Sequence, residues 1–226
     1  MIMNNNIFVA CDVSSQKEIL ELLSKIHKEI DGIKIGLQYI TKHSPEQIKE
    51  LKKFDKPIFY DGKFFDIKNT LVESIKSLKN LNINFATIHL LNGLDALKAA
   101  NEVASQINIK LLGVSVLTSF DDNELIQLGF KDKLKDQVLR LIKIADAANL
   151  YGVICSPLEI KMIKEIAPNL KCFTPGIRED ENKNDQKRTM NAKQALEAGS
   201  DCLIIGRPIT KGDPKKNIHK ILSSLK

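Results

Sequence analysis

The chain contains no tryptophan, and aromatic residues make up only 5% of its 226 positions. Stacking platforms for single-stranded nucleic acid are therefore scarce. Arginine is also rare: only Arg140, Arg178, Arg188 and Arg207 stand among 34 basic residues. The lysines are scattered between acids, as on a solvated surface, so the net charge of +6 does not mark a nucleic-acid face. Arg178, Arg188 and Arg207 all fall in the last quarter of the chain. A planar guanidinium fork suits phosphate better than an ammonium does. An anion site is expected between residues 178 and 207.

Cysteine is equally sparse. Cys11, Cys155, Cys172 and Cys202 show neither CxxC nor metal-ligand spacing. Each lies in or beside an apolar run, which reads as a buried free thiol. No apolar run approaches the ~18 residues of a membrane span. The run "IFVACDV" is too short for a secretory leader and carries Asp12. A cytoplasmic protein is expected.

What the chain has is alternation. Eight short β-rich runs are separated by longer amphipathic stretches: 7–13, 33–36, 57–61, 85–90, 110–117, 151–156, 170–175 and 201–206. They are apolar throughout, as expected of parallel strands buried on both faces. In "SQKEILELLSKIHKEI", Ile19, Leu22, Leu23, Ile26 and Ile30 share one helical face, with Ser15 and Glu18 placed for a capping box. In "KLKDQVLRLIKIADAA" the equivalent face carries Leu134, Val138, Leu141, Ile142 and Ala145. Eight βα units in this length predict a (β/α)₈ TIM barrel. A doubly wound open sheet is the alternative, but "CDVSSQ" after the first strand lacks the glycine-rich turn such sheets carry. No linker interrupts the pattern, so residues 1–226 are read as one domain. The polar stretch "REDENKNDQKR" (178–188) reads as a mobile loop.

In such a barrel, chemistry gathers at the C-terminal ends of the strands. There the sequence places Asp12, Lys34, Asp61, Lys63, His89, Thr118, Ser156, Thr174 and Arg207. In extended chain, Asp61 and Lys63 point to one face. Asp66 follows in the loop, and Lys34 ends the neighbouring strand. Two lysines and two aspartates are expected to converge there. In a partly dry pocket such alternating charges hold one another ionised. "TPGIR" (174–178) and "IGRPI" (205–209) follow strands seven and eight, the usual phosphate cradle of this fold. Gly176 and Gly206 admit an anion to the backbone, and Arg207 can grip it with two parallel bonds. His89 reads first as a core histidine bonded to backbone, and Cys11 and Met190 as packing residues.

"DGKFFDIKNT" resembles the D-x-K-x-x-D-I-x-x-T signature of the orotidine 5′-phosphate decarboxylase family. "ACDV", "IKIGLQY", "VSVLTS", "TPGIR…DQKR" and "IGRPIT…DP" extend the likeness to its bacterial branch and to nearly the whole chain. The resemblance implies a homodimeric, nucleotide-binding barrel with no metal and no organic cofactor. It implies conversion of orotidine 5′-monophosphate to uridine 5′-monophosphate and CO₂, the last step of pyrimidine biosynthesis. Lys63 corresponds to the proton donor and Asp61 to the carboxylate beside the departing CO₂, with Lys34 and Asp66 completing the network. Asp66, Ile67 and Thr70 are implied to reach the partner's site. Asp12 and Lys34 correspond to ribose contacts and Thr118 to the pyrimidine contact. Pro175, Arg178, Gln186, Gly206 and Arg207 correspond to the remaining substrate contacts, the last four to the phosphate grip. Two departures stand out: "IHLLNG" is bulkier than the usual run after the strand-four histidine, and "REDENK" lacks the usual glycine and proline. A magnesium-dependent sugar-phosphate relative of the same superfamily would carry an acid where this chain has Lys34. An inactive nucleotide-phosphate binder would not need all four charged residues.

Overall fold

All eight apolar runs become strands. The computed structural model describes residues 5–13, 15–178 and 189–225. The strands are β1 (Ile7–Ala10), β2 (Gly32–Gly36), β3 (Ile58–Phe64), β4 (Phe85–His89), β5 (Lys110–Val114), β6 (Gly152–Ile154), β7 (Lys171–Thr174) and β8 (Cys202–Ile205). They pair in parallel in chain order, and β8 returns to β1. The sheet is a closed (β/α)₈ barrel; the open doubly wound alternative is excluded.

The helices among the described residues follow their strands. After β1 comes α1 (Gln16–Ile26), and after β2 come α2 (Leu37–Ile40) and α3 (Pro45–Glu50). Next are α4 (Lys68–Ser77), α5 (Leu94–Gln106), α6 (Asp122–Gln127) and α7 (Leu134–Ala147). The circuit ends with α8 (Ile160–Ile166), α9 (Ala192–Glu197), α10 (Arg207–Thr210) and α11 (Pro214–Ser224). The Ser15 hydroxyl accepts the Glu18 N–H and starts α1, the half of the expected capping box that the structure displays. Ile19, Leu22, Leu23 and Ile26 then face the sheet, and Ile30 is buried just beyond. On α7, Val138, Leu141, Ile142 and Ala145 are buried, with Leu134 packed at the edge. The four cysteines are free and buried.

The barrel interior is separate from this outer core. Phe8, Phe59, Phe85 and Phe173 fill it edge to face, for example Phe8 on Phe85 at 5.6 Å and 87°. Gly32 makes room for them, since a Cβ there would meet the Phe8 ring at 2.1 Å. Side chains alternate faces along a strand, so residues two positions further on stand above this floor. Those residues are Ala10, Asp61, Thr87 and Pro175. The floor thus dictates which side chains reach the barrel mouth.

β1 and β5 stop three residues before the ends of their apolar runs, at Ala10 and Val114. Asp12 therefore lies in the loop past β1. β3 runs longer, to Phe64, through an irregularity. Tyr60 pairs with Ala86, but the next partner of Ile88 is Phe64. Asp61, Gly62 and Lys63 consequently face the single residue Thr87, a bulge of the kind that re-aims side chains near sites.

Candidate active site

At the mouth, four charges form a chain. The Lys34 ammonium lies 3.1 Å from Asp12 Oδ1 and 3.6 Å from Asp61 Oδ2. Asp61 Oδ1 receives the Lys63 ammonium at 2.9 Å and the Thr87 hydroxyl at 3.0 Å. The strand register brings them together: Ala10 lies opposite Lys34, and Gly36 opposite Asp61. Gly36 keeps the gap open, because a Cβ there would lie 3.0 Å from Asp12 Oδ1 and 3.2 Å from Lys34 Nζ.

The electrostatics favour the charged forms of Asp61 and Lys34. Burial alone would raise the Asp61 pKa, but the Lys34 and Lys63 charges, with hydrogen bonds from Lys63 and Thr87, hold it below the usual carboxylate value. Burial likewise opposes the charge on Lys34, yet Asp61 and Asp12 raise its pKa above that of free lysine. His89 is pushed down by its burial and then by the Lys63 charge. Its Nδ1 accepts the Leu91 N–H, the backbone-bonded arrangement expected of it.

Lys63 departs from the extended geometry expected of it. Its φ is +47°, and the other non-glycine residues with positive φ among the described ones are all asparagine or aspartate. For lysine this left-handed backbone costs on the order of 1–3 kcal/mol. The Lys63 N–H is held by the Thr87 hydroxyl at 2.8 Å. Lys63 and Asp61 still meet, through the bulge and not through simple alternation.

Two adjoining cavities share Lys34, Pro175 and Ile204. The smaller, about 190 Å³, is lined by Asp61, Lys63, Val114, Ile154 and Thr118. The larger, about 680 Å³, is lined by Asp12, Gly176, Arg178, Gly206 and Arg207. A parallel bridge between Ile177 and Met190 ties the chain on either side of residues 179–188, and the Arg178 N–H donates to the Met190 carbonyl at 3.0 Å. One end of this space is therefore compact and charged, and the other is roomy with two guanidinium groups.

The family model described as "Orotidine 5'-phosphate decarboxylase / HUMPS family" matches residues 5–221. The chain is 36% identical to the orotidine 5′-phosphate decarboxylase of Wolbachia pipientis subsp. Culex pipiens (strain wPip), over 98% of this chain and 99% of the relative. It is 37% identical to that of Ehrlichia canis (strain Jake), over 98% of each. The crystal structure of orotidine 5′-phosphate decarboxylase from Lactobacillus acidophilus superposes with a TM-score of 0.85 at 32% identity, over 98% of this chain and 99% of that one. The chain belongs to the orotidine 5′-phosphate decarboxylase / HUMPS family.

Within this decarboxylase-family barrel, not every residue of the signature converges. Asp66 does not join the network of its own chain. The backbone turns outward after Phe64, leaving Asp66 exposed; its carboxylate accepts the Ile67 N–H and its own N–H binds Asn92 Oδ1. Asp12 stands where Asp66 was expected, as second carboxylate. Ile67 and Thr70 are also exposed, Thr70 within the first turn of α4. Ser156 and Thr174 are buried structural groups: Ser156 caps the turn at Pro157–Glu159, and Thr174 accepts a bond from Ser200. Gln186 and the 180–184 segment lie outside the described residues. Two residues escape a reading based on motifs. Thr87 lies inside an apolar run, and only its place two residues before His89, on the face of Phe85, marks it. Asn92 donates to the carbonyls of Phe64 and His89 and fixes the end of β3 to that of β4.

Proposed function

We propose that this protein decarboxylates orotidine 5′-monophosphate to uridine 5′-monophosphate and CO₂, the final step of de novo pyrimidine synthesis. The Asp12–Lys34–Asp61–Lys63 chain, opening on a cavity whose far end carries Arg178 and Arg207, is the observation that supports it most. On this reading the phosphate lies between Gly206, Arg207 and Arg178, with Gln186 joining them. Asp12 and Lys34 meet the ribose, Thr118 meets the pyrimidine, and C6 faces Lys63.

Breaking the C6–CO₂ bond leaves an electron pair in the ring plane, where the π system cannot absorb it. Stabilisation must be electrostatic and preorganised. The Lys63 ammonium supplies it and then gives its proton to C6, and solvent reprotonates the amine. Asp61 holds the ammonium in place at 2.9 Å and sits beside the departing carboxylate. A pair of unit charges about 4 Å apart at an effective dielectric of ~20 contributes about 4 kcal/mol. Enzymatic accelerations commonly amount to ~8–23 kcal/mol. Lys63 alone is insufficient, and remote phosphate binding must supply a large share.

A metal-dependent reading is less well supported. The Lys34 ammonium occupies the space between Asp12 and Asp61 that a divalent ion would need. Among the described residues, no three His, Cys, Asp or Glu side chains gather as a ligand set. We also infer a homodimer with shared sites. Phe65 and Ile67 are 62% and 74% exposed, and with Leu91 and Leu94 they form an apolar rim beside Asp66. Buried free thiols suit a reducing, cytoplasmic compartment. Among the described residues no helix is long and apolar enough to cross a membrane.

The test is an absorbance assay with orotidine monophosphate, with and without EDTA. Wild type should consume the orotate chromophore equally in both, and Lys63→Ala should not consume it at all. Turnover that EDTA abolishes, or that survives Lys63→Ala, would sink the proposal.

A further inference from the structure

Thr87 is fully buried, and its hydroxyl touches both halves of the Lys63–Asp61 pair. A hydroxyl carries one proton and two lone pairs. The Lys63 N–H points at the oxygen from 2.8 Å and takes a lone pair. The proton is then directed to Asp61 Oδ1 at 3.0 Å. That same oxygen receives the Lys63 ammonium at 2.9 Å, while Oδ2 faces Lys34 at 3.6 Å. The carboxylate therefore cannot rotate without losing one of three partners.

The backbone makes Thr87 irreplaceable by a ladder bond. Three residues of β3 face this one residue of β4, so Lys63 has no carbonyl opposite it in register. A buried N–H without a partner is costly, and here a side chain fills the role. The same contact holds Lys63 in its left-handed conformation, which sets the direction from which the side chain rises.

We propose that Thr87 is a positioning residue for the reaction: its hydroxyl locks the Lys63 backbone and the Asp61 carboxylate into one geometry, so that the ammonium meets C6. This rests on the decarboxylase reading above. Thr87 does not touch substrate, and its effect passes entirely through Lys63 and Asp61.

The test compares Thr87→Val, which keeps the volume and removes the hydroxyl, with Thr87→Ser, which keeps the hydroxyl. Misplacing a catalytic group by about 1 Å costs on the order of 100-fold. Thr87→Val should lower kcat by roughly 10- to 100-fold with KM changed little, because the phosphate end is untouched. Thr87→Ser should restore most of kcat. Carbon-13 NMR of the Asp61 carboxyl in the unliganded protein should show its titration moved upward in Thr87→Val and returned in Thr87→Ser. Should Thr87→Val fail to fold, Thr87→Ala answers the same two questions. Wild-type kcat and unmoved titration in the hydroxyl-free variant would overturn the proposal, as would equal losses in Val and Ser. If wild type does not turn over orotidine monophosphate, the functional reading fails, and the Asp61 titration alone decides whether the Thr87 bridge exists.

Discussion

Asp61 is the residue on which the charge network turns, because both lysines depend on it. Its folded pKa lies below the ordinary 3.8, so the folded state releases the proton more readily than the unfolded chain does. By linkage, its contribution to stability is complete above that value and is lost as pH falls through the folded pKa. Lys34 has the opposite sense: raised above 10.5, it contributes fully below that pH, and the contribution is lost as pH climbs through its folded value. Between those limits the network is intact. Asp61→Asn mimics the protonated acid at every pH. It should be less stable than wild type near pH 7, and the difference should shrink as pH is lowered below about 3.8. Urea midpoints at a series of pH values measure this; a difference independent of pH would contradict it. Strand ends disclosed all four network members, Asp12 among them, but motif spacing put Asp66 in the place of the second carboxylate. Within its own chain Asp66 stays out of the pocket, because an acid within a motif is not bound to share a pocket with it. Asp66 follows the chain outward at a bend, whereas Asp12, far off in sequence, is carried there by the loop past β1, whose last residue Ala10 lies opposite Lys34.

At the level of elements, the strands were readable because a strand buried on both faces must be apolar along its length. The helices were readable because one face must match the sheet. Irregular steps were not. The bulge in β3 rests on a pairing with β4 that no local pattern records, and Thr87 gains its importance only from that pairing. The early ends of β1 and β5 also depend on where neighbouring strands offer partners. At the ends of β7 and β8 the sequence set two arginines with flanking glycines, and the structure brings them to one cavity. Arg207, opening α10 beside Gly206, should therefore act on binding and turnover without holding the barrel together. Arg207→Ala removes a charge partner of the phosphate, and truncating one member of a buried hydrogen-bonded charge pair at a protein interface costs about 2–5 kcal/mol. The expected loss is roughly 10²- to 10³-fold in kcat/KM, with a thermal melt close to wild type. A variant that keeps wild-type kcat/KM would remove the phosphate grip from the mechanism.

For the whole molecule, the barrel leaves one part of its signature without a task. Asp66, Ile67 and Thr70 project from the end of β3 and the start of α4, exposed, next to the apolar side chains of Phe65, Leu91 and Leu94. An apolar rim of this kind next to polar residues marks an interaction surface. A two-fold dimer would bury the same patch on both copies, because its interface is self-complementary. If Asp66 completes the site of the partner, then Lys63→Ala and Asp66→Ala disable different contributors to one composite site. Each variant alone should be inactive. In a mixed dimer one site collects both defects and the other collects neither. Unfolding and refolding an equal mixture should restore activity to about a quarter of wild type, since half the dimers are mixed and each carries one intact site. Assay of the refolded mixture beside each variant refolded alone measures this. Sedimentation equilibrium should show a dimer in every sample, and Ile67→Asp should shift it towards monomer. No recovery in a mixture proven to contain mixed dimers would mean that each barrel works with its own residues, and that Asp66 serves only the local turn in which it holds the Ile67 N–H.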